Sequence, residues 1–431
     1  MRFFQVIFFV CLMQSAFGQD YVSYFVGDTA NVETNPIKGT LLMGGAGEND
    51  NAIRWLLERA DGGDVLVLRT TGDDGYNDYF YTDLGVEVNS VETIVCLNAD
   101  ASANSYVLRR VAEADALWFA GGDQWDYISF WRNTPMEDAF NELINVKKIP
   151  IGGTSAGCAI QGQAYFSAES GTITTTQALN DPFHALMDLG YNDFLNNTAT
   201  ANIISDTHYD NPDRRGRHMV FLARLQTDYG IPFYGIGVEE YTAVCIDENN
   251  IAQVFGSYPD YEDYAYFLQA NCYEPSGPEV CEDGEKLTWN RDSMALKVIK
   301  IGGNDNGTGT VDLNDWKTVD GEDYSWENWW VEDGNFQVTT NATIINCDEP
   351  IQINNSTIAA LNIGIDYQNE TLIINGDRTW LNVTIRDIAG RIIYNNENGQ
   401  HLISIASFLS GTYVISVLND QGNWQHETFV K

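Results

Sequence analysis

The sequence has 431 residues, of which 44% are hydrophobic and 19% are charged, and this composition excludes a disordered or fibrous chain. Its formal net charge of −38 at pH 7 excludes a broad nucleic-acid-binding surface and disfavours docking on anionic lipid, because phosphates would be repelled. No nucleic-acid partner is therefore expected. The length leaves room for two or three domains of ordinary size.

The N-terminal segment has the pattern of a secretory signal peptide. Met1 and Arg2 give a short basic start, and an apolar run covers Phe3–Met13. Ser15-Ala16-Phe17-Gly18 then places small residues before a cut at Gln19. The apolar run is too short to span a bilayer. We expect a protein that is exported through the periplasm and is then secreted or attached to the cell surface.

Short apolar runs alternate with segments of helical spacing in the middle of the chain. The runs that predict strands are Thr40–Met43, Asp64–Leu68, Thr93–Leu97, Ala116–Ala120, Lys148–Ile151, Asn202–Ser205, Tyr234–Val238 and Thr242–Ile246. The segments that predict helices are Asn49–Arg59, Tyr106–Ala114, Met136–Val146 and Arg215–Gln226. This alternation indicates an α/β fold with a doubly wound, mostly parallel sheet. In such a sheet the site lies beyond the carboxyl ends of the strands.

The character of the sequence changes near residue 300. Ile301–Asp333 is rich in Gly, Asn, Asp and Trp, and helical periodicity disappears. Short alternating strands follow, most clearly Trp380–Arg386, Arg391–Tyr394, Gly411–Leu418 and Glu427–Lys431. They predict a small antiparallel β-sandwich. The predicted parts are a signal peptide at 1–18, an α/β domain at 19–300, a connecting region at 301–357 and a β-domain at 358–431.

The cysteines favour a disulfide over a metal site. Export permits disulfides, and Cys272 and Cys281 flank a loop containing Pro and Gly, which makes them the best candidate pair. Cys96 and Cys245 lie in apolar runs and are predicted to be buried thiols. The sequence has neither a CxxC pair nor an HExxH motif, so no metal and no other cofactor is predicted.

The strongest chemical signal is the turn around Ser155. An apolar strand ending in Gly152-Gly153-Thr154 leads into Ser155, and the small residues Ala156-Gly157 follow. A nucleophile on a sharp strand-to-helix turn needs small neighbours so that the turn can form and a substrate can approach. The N–H of Ala156 can then point into an oxyanion hole. A glycine-rich turn that only packs a helix on a strand is the structural alternative.

A nucleophilic serine needs a base and an orienting acid. His208 ends an apolar strand, which places it on the same sheet edge as Ser155; His184 and His218 compete less well because neither ends a strand. Glu240 follows the strand Tyr234–Val238 and is the first choice for the acid. The other candidates for the acid are Asp206 and Glu169.

Further residues near these strand ends suit substrate binding. Gly121 and Gly122 let backbone N–H groups approach a substrate carbonyl, and Gln124 can hold the substrate backbone. Arg214, Arg215 and Arg217 form the densest basic cluster in a very acidic chain. A guanidinium grips a carboxylate at two points, so a carboxylate-binding role is natural. Ion pairing with surrounding acids explains the cluster equally well.

Five blocks taken together resemble the cyanophycinase and aspartyl dipeptidase family of serine peptidases. They are Gly44-Gly45-Ala46-Gly47-Glu48, Phe119-Ala120-Gly121-Gly122-Asp123-Gln124, Gly153-Thr154-Ser155-Ala156-Gly157, Asp206-Thr207-His208-Tyr209 and Gly235-Ile236-Gly237-Val238-Glu239-Glu240. The resemblance covers roughly residues 38–270 and implies a fold akin to class I glutamine amidotransferases. It implies a Ser155-His208-Glu240 triad that cleaves after an aspartyl residue without a metal or an organic cofactor.

Cyanophycinases cut β-aspartyl-arginine units from a polymer with an Asp backbone and Arg side groups. The resemblance implies substrate contacts from Gln124, Asp206, Arg214 and Arg217. Thr207 replaces the glutamine of the family pattern, and Pro212 replaces its first arginine. These departures leave open an aspartyl dipeptidase or an isoaspartyl peptidase on other substrates.

The C-terminal part resembles the type A sorting domain of the type IX secretion system. Leu381–Arg391, Leu409-Ser410-Gly411-Thr412-Tyr413-Val414 and the final Phe429-Val430-Lys431 carry this resemblance, which covers roughly residues 358–431. It implies that secretion machinery is a partner. A β-sandwich that binds carbohydrate or protein is the alternative.

The sequence as a whole predicts a secreted serine exopeptidase that hydrolyses aspartyl or β-aspartyl peptide bonds through an acyl-enzyme. Its catalytic residues are Ser155, His208 and Glu240, and Gly122 and Ala156 form the oxyanion hole. The expected partner is a peptide or an Asp-Arg polymer, and both monomer and homodimer stay open. A non-catalytic surface binding protein on the same scaffold is the alternative from another class. Glutamine amidotransferase-like chemistry expects a cysteine where Ser155 stands.

Overall fold

A computed structural model describes residues 19–342, 351–352, 362–366, 369–375, 380–387, 391–396, 401–419 and 424–431. The predicted signal peptide lies outside these residues. Among the helices described, none has the length and apolar character needed to cross a membrane.

The strands of the main body are β1 Tyr21–Gly27, β2 Gly39–Met43, β3 Asp64–Arg69, β4 Ser90–Cys96, β5 Ala116–Phe119, β6 Pro150–Thr154, β7 Ala164–Phe166, β8 Leu189–Tyr191, β9 Ile203–Asp206, β10 Tyr234–Val238, β11 Ala243–Ile246, β12 Ile251–Phe255, β13 Tyr264–Ala270, β14 Tyr273–Glu274, β15 Leu296–Gly302, β16 Gly309–Asp312, β17 Val319–Asp320, β18 Tyr324–Glu332 and β19 Asn335–Thr339. They are followed by β20 Ile351–Gln352, β21 Asn362–Asp366, β22 Thr371–Asn375, β23 Trp380–Asp387, β24 Ile392–Asn396, β25 Leu402–Ser404, β26 Thr412–Asn419 and β27 Trp424–Val430.

The helices are α1 Asp50–Glu58, α2 Ser105–Glu113, α3 Gln124–Trp131, α4 Pro135–Glu142, α5 Ala156–Ala159, α6 Thr175–Asn180 and α7 Arg215–Tyr229. Side chains cap several of them as the sequence favours: Asn49 accepts from two N–H groups of α1, and Thr134 caps α4, which has Pro135 in its first turn. Wider π-type turns cover Tyr79–Asp83 and Leu143–Lys147, and short 3₁₀ turns cover Ala99–Ala103 and Thr198–Thr200.

Two sheets form the main body and divide the parallel strands between them. The first sheet has the order β1-β4-β3-β5-β6-β2-β11-β12-β16-β17, and its run from β4 to β2 is parallel. The second has the order β19-β18-β15-β13-β10-β9-β7-β8, in which β9 pairs in parallel with β10 and β7. The predicted α/β class is confirmed, with parallel strands between helices and antiparallel strands at the sheet margins.

The segment from 301 to 342 belongs to this body, whereas its composition predicts a connecting region. Strands β16 and β17 extend the first sheet, and β18 and β19 extend the second. Val311, Trp326 and Trp329 are buried in the cores between and beside these strands. Many of the Gly and Asn residues lie in turns, so composition did not indicate β16, which alternates buried and half-buried residues, or β18, whose centre from Trp326 to Trp329 is buried.

The C-terminal residues form an antiparallel β-sandwich, as predicted. One sheet has the order β21-β22-β25, and the other has the order β24-β23-β26-β27. Leu372 and Ile403 of the first sheet share a buried cluster with Val383, Ile385 and Ile415 of the second. Apolar residues at alternate positions thus face inward from both sheets.

The predicted pairing of Cys272 with Cys281 is wrong. Cys281 is a buried free thiol, and so are Cys96, Cys158 and Cys245. Cys272 is disulfide-bonded, and its partner lies outside the described residues. Burial raises the pKa of the Cys281 thiol to about 11, which keeps it protonated and inert. Sequence proximity across the loop was a poor guide because Cys281 faces a core cluster.

Candidate active site

Ser155 lies on a sharp turn between β6 and α5. Its backbone has φ +52° and ψ −116°, a conformation that L-residues adopt at a cost. The turn is held in place because the Ser155 N–H donates to the Met43 carbonyl at 3.1 Å, while the Ser155 carbonyl accepts from the N–H groups of Cys158 and Ala159. The side chain is thereby lifted out of the strand at its carboxyl end, as the sequence predicts.

The small residues around Ser155 allow α5 to lie against the strands. A Cβ added to Gly157 would lie 2.1 Å from the Phe119 carbonyl oxygen, and one added to Gly153 would lie 2.5 Å from the Gly157 oxygen. Neither contact can be relieved by rotating a side chain, because both involve backbone atoms. These glycines are therefore required by backbone packing under the turn.

His208 meets Ser155 from the other sheet. The Ser155 Oγ lies 2.9 Å from His208 Nε2. The expectation that both residues follow strands of one sheet is wrong, because β6 belongs to the first sheet and β9 to the second. The two sheets adjoin here: the His208 N–H donates to the Gly44 carbonyl at 2.9 Å, and Ser205 Oγ donates to the Cys158 carbonyl at 2.9 Å.

Glu240 lies on the far side of the imidazole ring. Its Oε1 is 2.6 Å from His208 Nδ1, so the three side chains form a continuous hydrogen-bonded line. The hydrogen bond from His208 lowers the pKa of the Glu240 carboxyl, with a smaller opposing effect of burial. Of the other two candidate acids, Glu169 is exposed and Asp206 binds Arg217. The structure thus brings Glu240, rather than either alternative, onto His208.

Gly45 packs against the His208 imidazole and limits its position. It has φ +113°, and a Cβ placed there would lie 2.6 Å from both Cε1 and Nε2 of His208. The sequence shows Gly44-Gly45 only as a glycine pair after a strand. Its contact with His208 joins residues more than 160 positions apart, so no local pattern could reveal it.

We expect Gly45→Ala to lower kcat/KM by about 100-fold, because a shift of about 1 Å in a catalytic group has this order of effect. Gly85→Ala is the matched control, since Gly85 also has positive φ (+70°) but has nothing within 4 Å of an added Cβ. Steady-state kinetics and thermal unfolding are measured for both variants. They separate the loss of activity caused by the displaced imidazole from the loss of stability caused by alanine at a positive φ. Equal activity in the two variants would contradict the role given to Gly45.

The turn after β5 lies beside Ser155. A Cβ on Gly121 would lie 3.7 Å from the Ser155 Cβ, and the next residue, Gly122, is exposed. The Tyr127 hydroxyl donates to the Ala120 carbonyl at 2.9 Å, which anchors the turn to α3. Gln124 begins α3, is half-buried, and reaches the Phe166 carbonyl at 3.4 Å. The predicted oxyanion residue Gly122 and substrate residue Gln124 thus lie on one short segment near the serine.

Arg214 and Arg217 differ in their surroundings. Arg214 is partly buried at the start of α7, and its Nη1 donates to the Thr207 carbonyl at 2.9 Å, one residue before His208. Burial lowers its pKa, and the neighbouring Arg217 lowers it further. Its Nε is buried without a partner among the described residues. Its Nη1 also lies 4.0 Å from Asp206 Oδ1, so Arg214 already has a carboxylate partner, and its binding of a substrate carboxylate stays a prediction.

Arg217 and Asp206 form a buried ion pair beneath the site. Arg217 Nη2 and Nε donate to the two Asp206 oxygens at 2.6 and 2.8 Å, and both side chains are only 4% exposed. Burial by itself raises the pKa of Asp206, but Arg217 outweighs it and holds the net pKa below the usual value. The prediction that these two residues contact substrate is thus corrected, because their polar atoms bind each other inside the protein.

Glu239, the residue before Glu240, forms hydrogen bonds with β13 instead of with His208. Its carboxylate accepts from the Tyr264 N–H at 2.8 Å and from the Tyr266 hydroxyl at 2.9 Å. Burial raises the pKa of Glu239 to about 7. The sequence analysis chose Glu240 over its neighbour, and the structure places Glu240 on His208 while Glu239 binds Tyr264 and Tyr266.

His218 is a structural histidine rather than a competing base. It is fully buried, with Nδ1 2.9 Å from the Tyr209 hydroxyl and Nε2 3.2 Å from the Ile204 carbonyl. Burial lowers its pKa to about 4. The neutral ring accepts from Tyr209 and donates to Ile204, and protonation would place a charge in a fully buried site.

We expect His218 to make the protein less stable in acid. Its folded pKa of about 4 lies below the unfolded value of 6.5, so its contribution is complete above pH 6.5 and is lost as the pH falls through 4. The contribution of His218 to the free energy of unfolding should fall by about 3 kcal/mol over this interval. Urea titrations at several pH values would show a shallower dependence in His218→Gln, and an unchanged slope would contradict the assignment.

A metal-binding cluster is not present in the described part of the chain, where no three His, Cys, Asp or Glu side chains come together suitably. The groups that the structure places at Ser155 are its hydroxyl, the His208 imidazole, the Glu240 carboxylate and nearby backbone N–H groups. Such a set can perform nucleophilic attack with general base assistance.

Two parts of the chain match known families. Residues 71–254 match peptidase family S51, and residues 362–431 match the secretion system C-terminal sorting domain. Both resemblances read from the sequence are confirmed. The first match is to a family of peptidases, and the second indicates secretion or export to the cell surface.

Parts of the chain are also similar to individual curated proteins. A cyanophycinase of Geminocystis herdmanii is 25% identical over 146 residues, which are 34% of this chain and 48% of the relative. A cyanophycinase of Trichormus variabilis is 24% identical over 176 residues, 41% of this chain and 53% of the relative. The chain thus spans about half the length of the curated relatives it matches.

Solved structures give partial overlaps. A peptidase from an acI-B1 actinobacterium is 17% identical with a TM-score of 0.36, covering 52% of this chain and 90% of its own. A protein assigned as peptidase E from Listeria monocytogenes is 16% identical with a TM-score of 0.32, covering 51% of this chain and 99% of its own.

Proposed function

We propose that this protein is a secreted serine exopeptidase that hydrolyses aspartyl or β-aspartyl peptide bonds. The observation that carries the proposal is the line from Ser155 Oγ through His208 to Glu240, with contacts of 2.9 and 2.6 Å, on a strained strand-to-helix turn. Strained backbone is retained where the surrounding structure holds a reactive side chain in position.

The proposed reaction begins with proton transfer. His208 Nε2 takes the proton of the Ser155 hydroxyl as its oxygen attacks the carbonyl carbon of the aspartyl residue. Glu240 accepts from the Nδ1–H and stabilises the imidazolium that forms. The N–H groups of Gly122 and Ala156 stabilise the negative oxygen of the tetrahedral intermediate.

The intermediate then collapses to an acyl-enzyme. The C–N bond breaks, and the leaving amine takes the proton from His208. A water molecule next gives a proton to His208 and attacks the ester carbonyl. The second tetrahedral intermediate releases the aspartyl acid, and Ser155 regains its proton. No redox partner is needed, because both steps are acyl transfers.

Two observations support an aspartyl substrate. Arg214 offers a guanidinium close to His208 in a chain whose net charge is −38, so a carboxylate has a specific binding partner there. The relatives named cyanophycinase support the β-aspartyl form. Thr207 and Pro212 depart from the pattern of those enzymes and favour the second candidate, an aspartyl dipeptidase acting on other substrates.

A substrate panel tests the proposed function. The mature protein is incubated with α-Asp and β-Asp dipeptides and with insoluble cyanophycin, and the released amino groups are measured. Release of β-Asp-Arg from the polymer would establish a cyanophycinase, while cleavage of dipeptides alone would favour the dipeptidase. Absence of turnover on every substrate would contradict the proposal and favour a binding protein on the same scaffold.

A further inference from the structure

Glu239 lies where the chain crosses from the second sheet to the first. It directly follows β10 of the second sheet, and the chain enters β11 of the first sheet soon afterwards. The crossing contains Glu240, whose Oε1 is 2.6 Å from His208 Nδ1. Glu239 is only 7% exposed, whereas carboxylates are almost never buried unless they are paired or bound by hydrogen bonds. The partners of this carboxylate therefore indicate what it does.

The Glu239 side chain completes the hydrogen bonding between β10 and β13. Val238 is opposite Ala265 in this antiparallel pair of strands, so Glu239 is opposite Tyr264. Two residues of a hydrogen-bonded pair normally exchange both backbone N–H···O bonds. The Glu239 N–H does donate to the Tyr264 carbonyl at 3.2 Å, but the Tyr264 N–H donates to Glu239 Oε2 at 2.8 Å. The side chain thus accepts the bond that the Glu239 carbonyl would otherwise accept.

The Glu239 carbonyl is turned toward the first sheet instead. It accepts from the Thr242 N–H at 3.3 Å, and a Cβ added to Gly44 would lie 1.9 Å from its oxygen. The Gly44 N–H donates to the Thr242 carbonyl at 3.0 Å, and the Gly44 carbonyl accepts from the His208 N–H at 2.9 Å. The backbone at Glu239 therefore supports His208 through Gly44. It also fixes the peptide bond that leads to Glu240.

A second hydrogen bond and the surrounding charges act on the Glu239 carboxylate. Its Oε1 accepts from the Tyr266 hydroxyl at 2.9 Å. Burial raises the pKa of this carboxyl and Asp210 raises it further, whereas the hydrogen bonds from β13 and the charge of Lys300 lower it. Lys300 Nζ lies over the Tyr264 ring, 3.7 Å from its centroid. The Tyr264 N–H can only donate, so the site needs an acceptor at Oε2, and glutamine supplies one without the charge.

We propose that Glu239 is a positioning residue of the candidate triad, because its side chain replaces its own carbonyl in the β10–β13 ladder and so holds Glu240 against His208. This inference rests on the proposed function, in which Glu240 orients the base. Without the side chain, the Tyr264 N–H either loses its acceptor or draws the Glu239 carbonyl back toward β13. The second outcome rotates the peptide bond that leads to Glu240 and removes the carbonyl from Gly44.

Glu239→Ala and Glu239→Gln test this inference on the best aspartyl dipeptide. We expect Glu239→Ala to lower kcat by about 100-fold with KM nearly unchanged, because a catalytic group would shift by about 1 Å. Glu239→Gln keeps an acceptor for the Tyr264 N–H, so its loss should be less than about 5-fold, the equivalent of one neutral hydrogen bond. Wild-type kcat in Glu239→Ala, or equal losses in the two variants, would overturn the inference.

Asp115→Ala is the matched control for the loss of a buried carboxylate. Asp115 is 2% exposed, accepts from the Asp64 N–H at 3.0 Å and pairs with Lys147 at 2.9 Å. It lies at the amino end of β5, whereas Ser155 follows the carboxyl end of the parallel strand β6. We expect both alanine variants to be less stable in urea, but Asp115→Ala should keep the wild-type kcat. Equal losses of kcat in both would overturn the inference, because general destabilisation would then explain them.

A spectroscopic measurement separates this inference from the proposed function. The chain has five histidines, so the His208 Nδ1–H can be assigned by NMR of the mature protein with isotope-labelled histidine, using His208→Ala as the reference. The hydrogen bond to the Glu240 carboxylate should move this proton far downfield in the wild type and in Glu239→Gln. We expect the downfield signal to be lost in Glu239→Ala. An unchanged signal there would overturn the inference, whereas a wild type that hydrolyses no dipeptide would contradict the proposed function alone.

Tyr266→Phe tests the same arrangement if Glu239→Ala does not fold. Phenylalanine keeps the ring, which lies 5.2 Å from the Tyr209 ring between centroids, and removes only the hydroxyl that binds Glu239 Oε1. We expect kcat to fall by about 10-fold, the equivalent of one hydrogen bond to a charged group, and the downfield His208 signal to weaken. An unchanged kcat together with an unchanged signal would overturn the inference.

Discussion

Replacing Ser155 with alanine should lower kcat/KM on the best aspartyl substrate by about 10⁴-fold or more, because loss of the nucleophile leaves only binding and the oxyanion hole. Within the described residues, the Ser155 hydroxyl that is removed makes one hydrogen bond, with His208. Alanine adopts φ +52° with a strain similar to that of serine. The thermal unfolding midpoint should therefore change little. Steady-state kinetics and a thermal melt of one preparation measure both effects.

Ser129→Ala is the control for this prediction. Ser129 is an exposed serine of α3 whose hydroxyl donates to the Asp126 carbonyl at 3.2 Å. Its removal should leave kcat/KM unchanged. If Ser155→Ala retains wild-type activity while remaining folded, the proposed mechanism is wrong. If it loses activity because it unfolds, Ser155→Cys, which keeps a nucleophile, tests the same point.

Replacing Asp206 with asparagine should lower the free energy of unfolding by about 3–5 kcal/mol, because the Arg217 charge would be left buried without its partner. Both side chains are 4% exposed and are joined by two hydrogen bonds. Arg217 also donates from Nη1 to the Ile173 carbonyl at 3.1 Å and lies over the rings of Phe166 and Phe221, but none of these contacts neutralises its charge. Urea unfolding at pH 7 measures the loss.

Asp333→Asn is the matched control, since Asp333 pairs with Lys286 at 3.3 Å with side chains that are 73% and 48% exposed. Exposed ion pairs contribute about 0–1 kcal/mol. Asn also tolerates the φ of +48° at residue 333. Equal destabilisation by the two substitutions would show that burial of the Asp206–Arg217 pair has no special importance.

The sequence predicted the local elements of this site well, because their signals are local. Apolar runs that end in Gly or polar residues located β6, β9 and β10, and the residues that follow those strands include Ser155, His208 and Glu240. The small residues around Ser155 predicted a tight turn. In the structure, Gly153 and Gly157 lie so close to backbone atoms of neighbouring residues that a Cβ would not fit there.

The sequence could not predict what depends on non-local packing. The parallel strands are divided between two sheets, and β6 lies between β5 and β2 in the first of them. The hydrophobic periodicity of a strand does not encode which strands become its neighbours. The inward orientation of Arg217 depends on Asp206, eleven residues earlier, and on burial of α7 against the second sheet. The strands within 301–342 were assigned to a connecting region because Gly, Asn and Asp in the turns dominate the composition of that segment.

Covalent labelling tests the central claim, an activated Ser155, most directly. The mature protein and its His208→Ala variant are treated with a fluorophosphonate, digested, and examined by mass spectrometry for the peptide that contains Ser155. The geometry of the 2.9 Å contact between Ser155 and His208 predicts one phosphonylated residue, Ser155, in the wild type and a greatly reduced yield in the variant. Absence of labelling at Ser155, or equal labelling without His208, would contradict the claim.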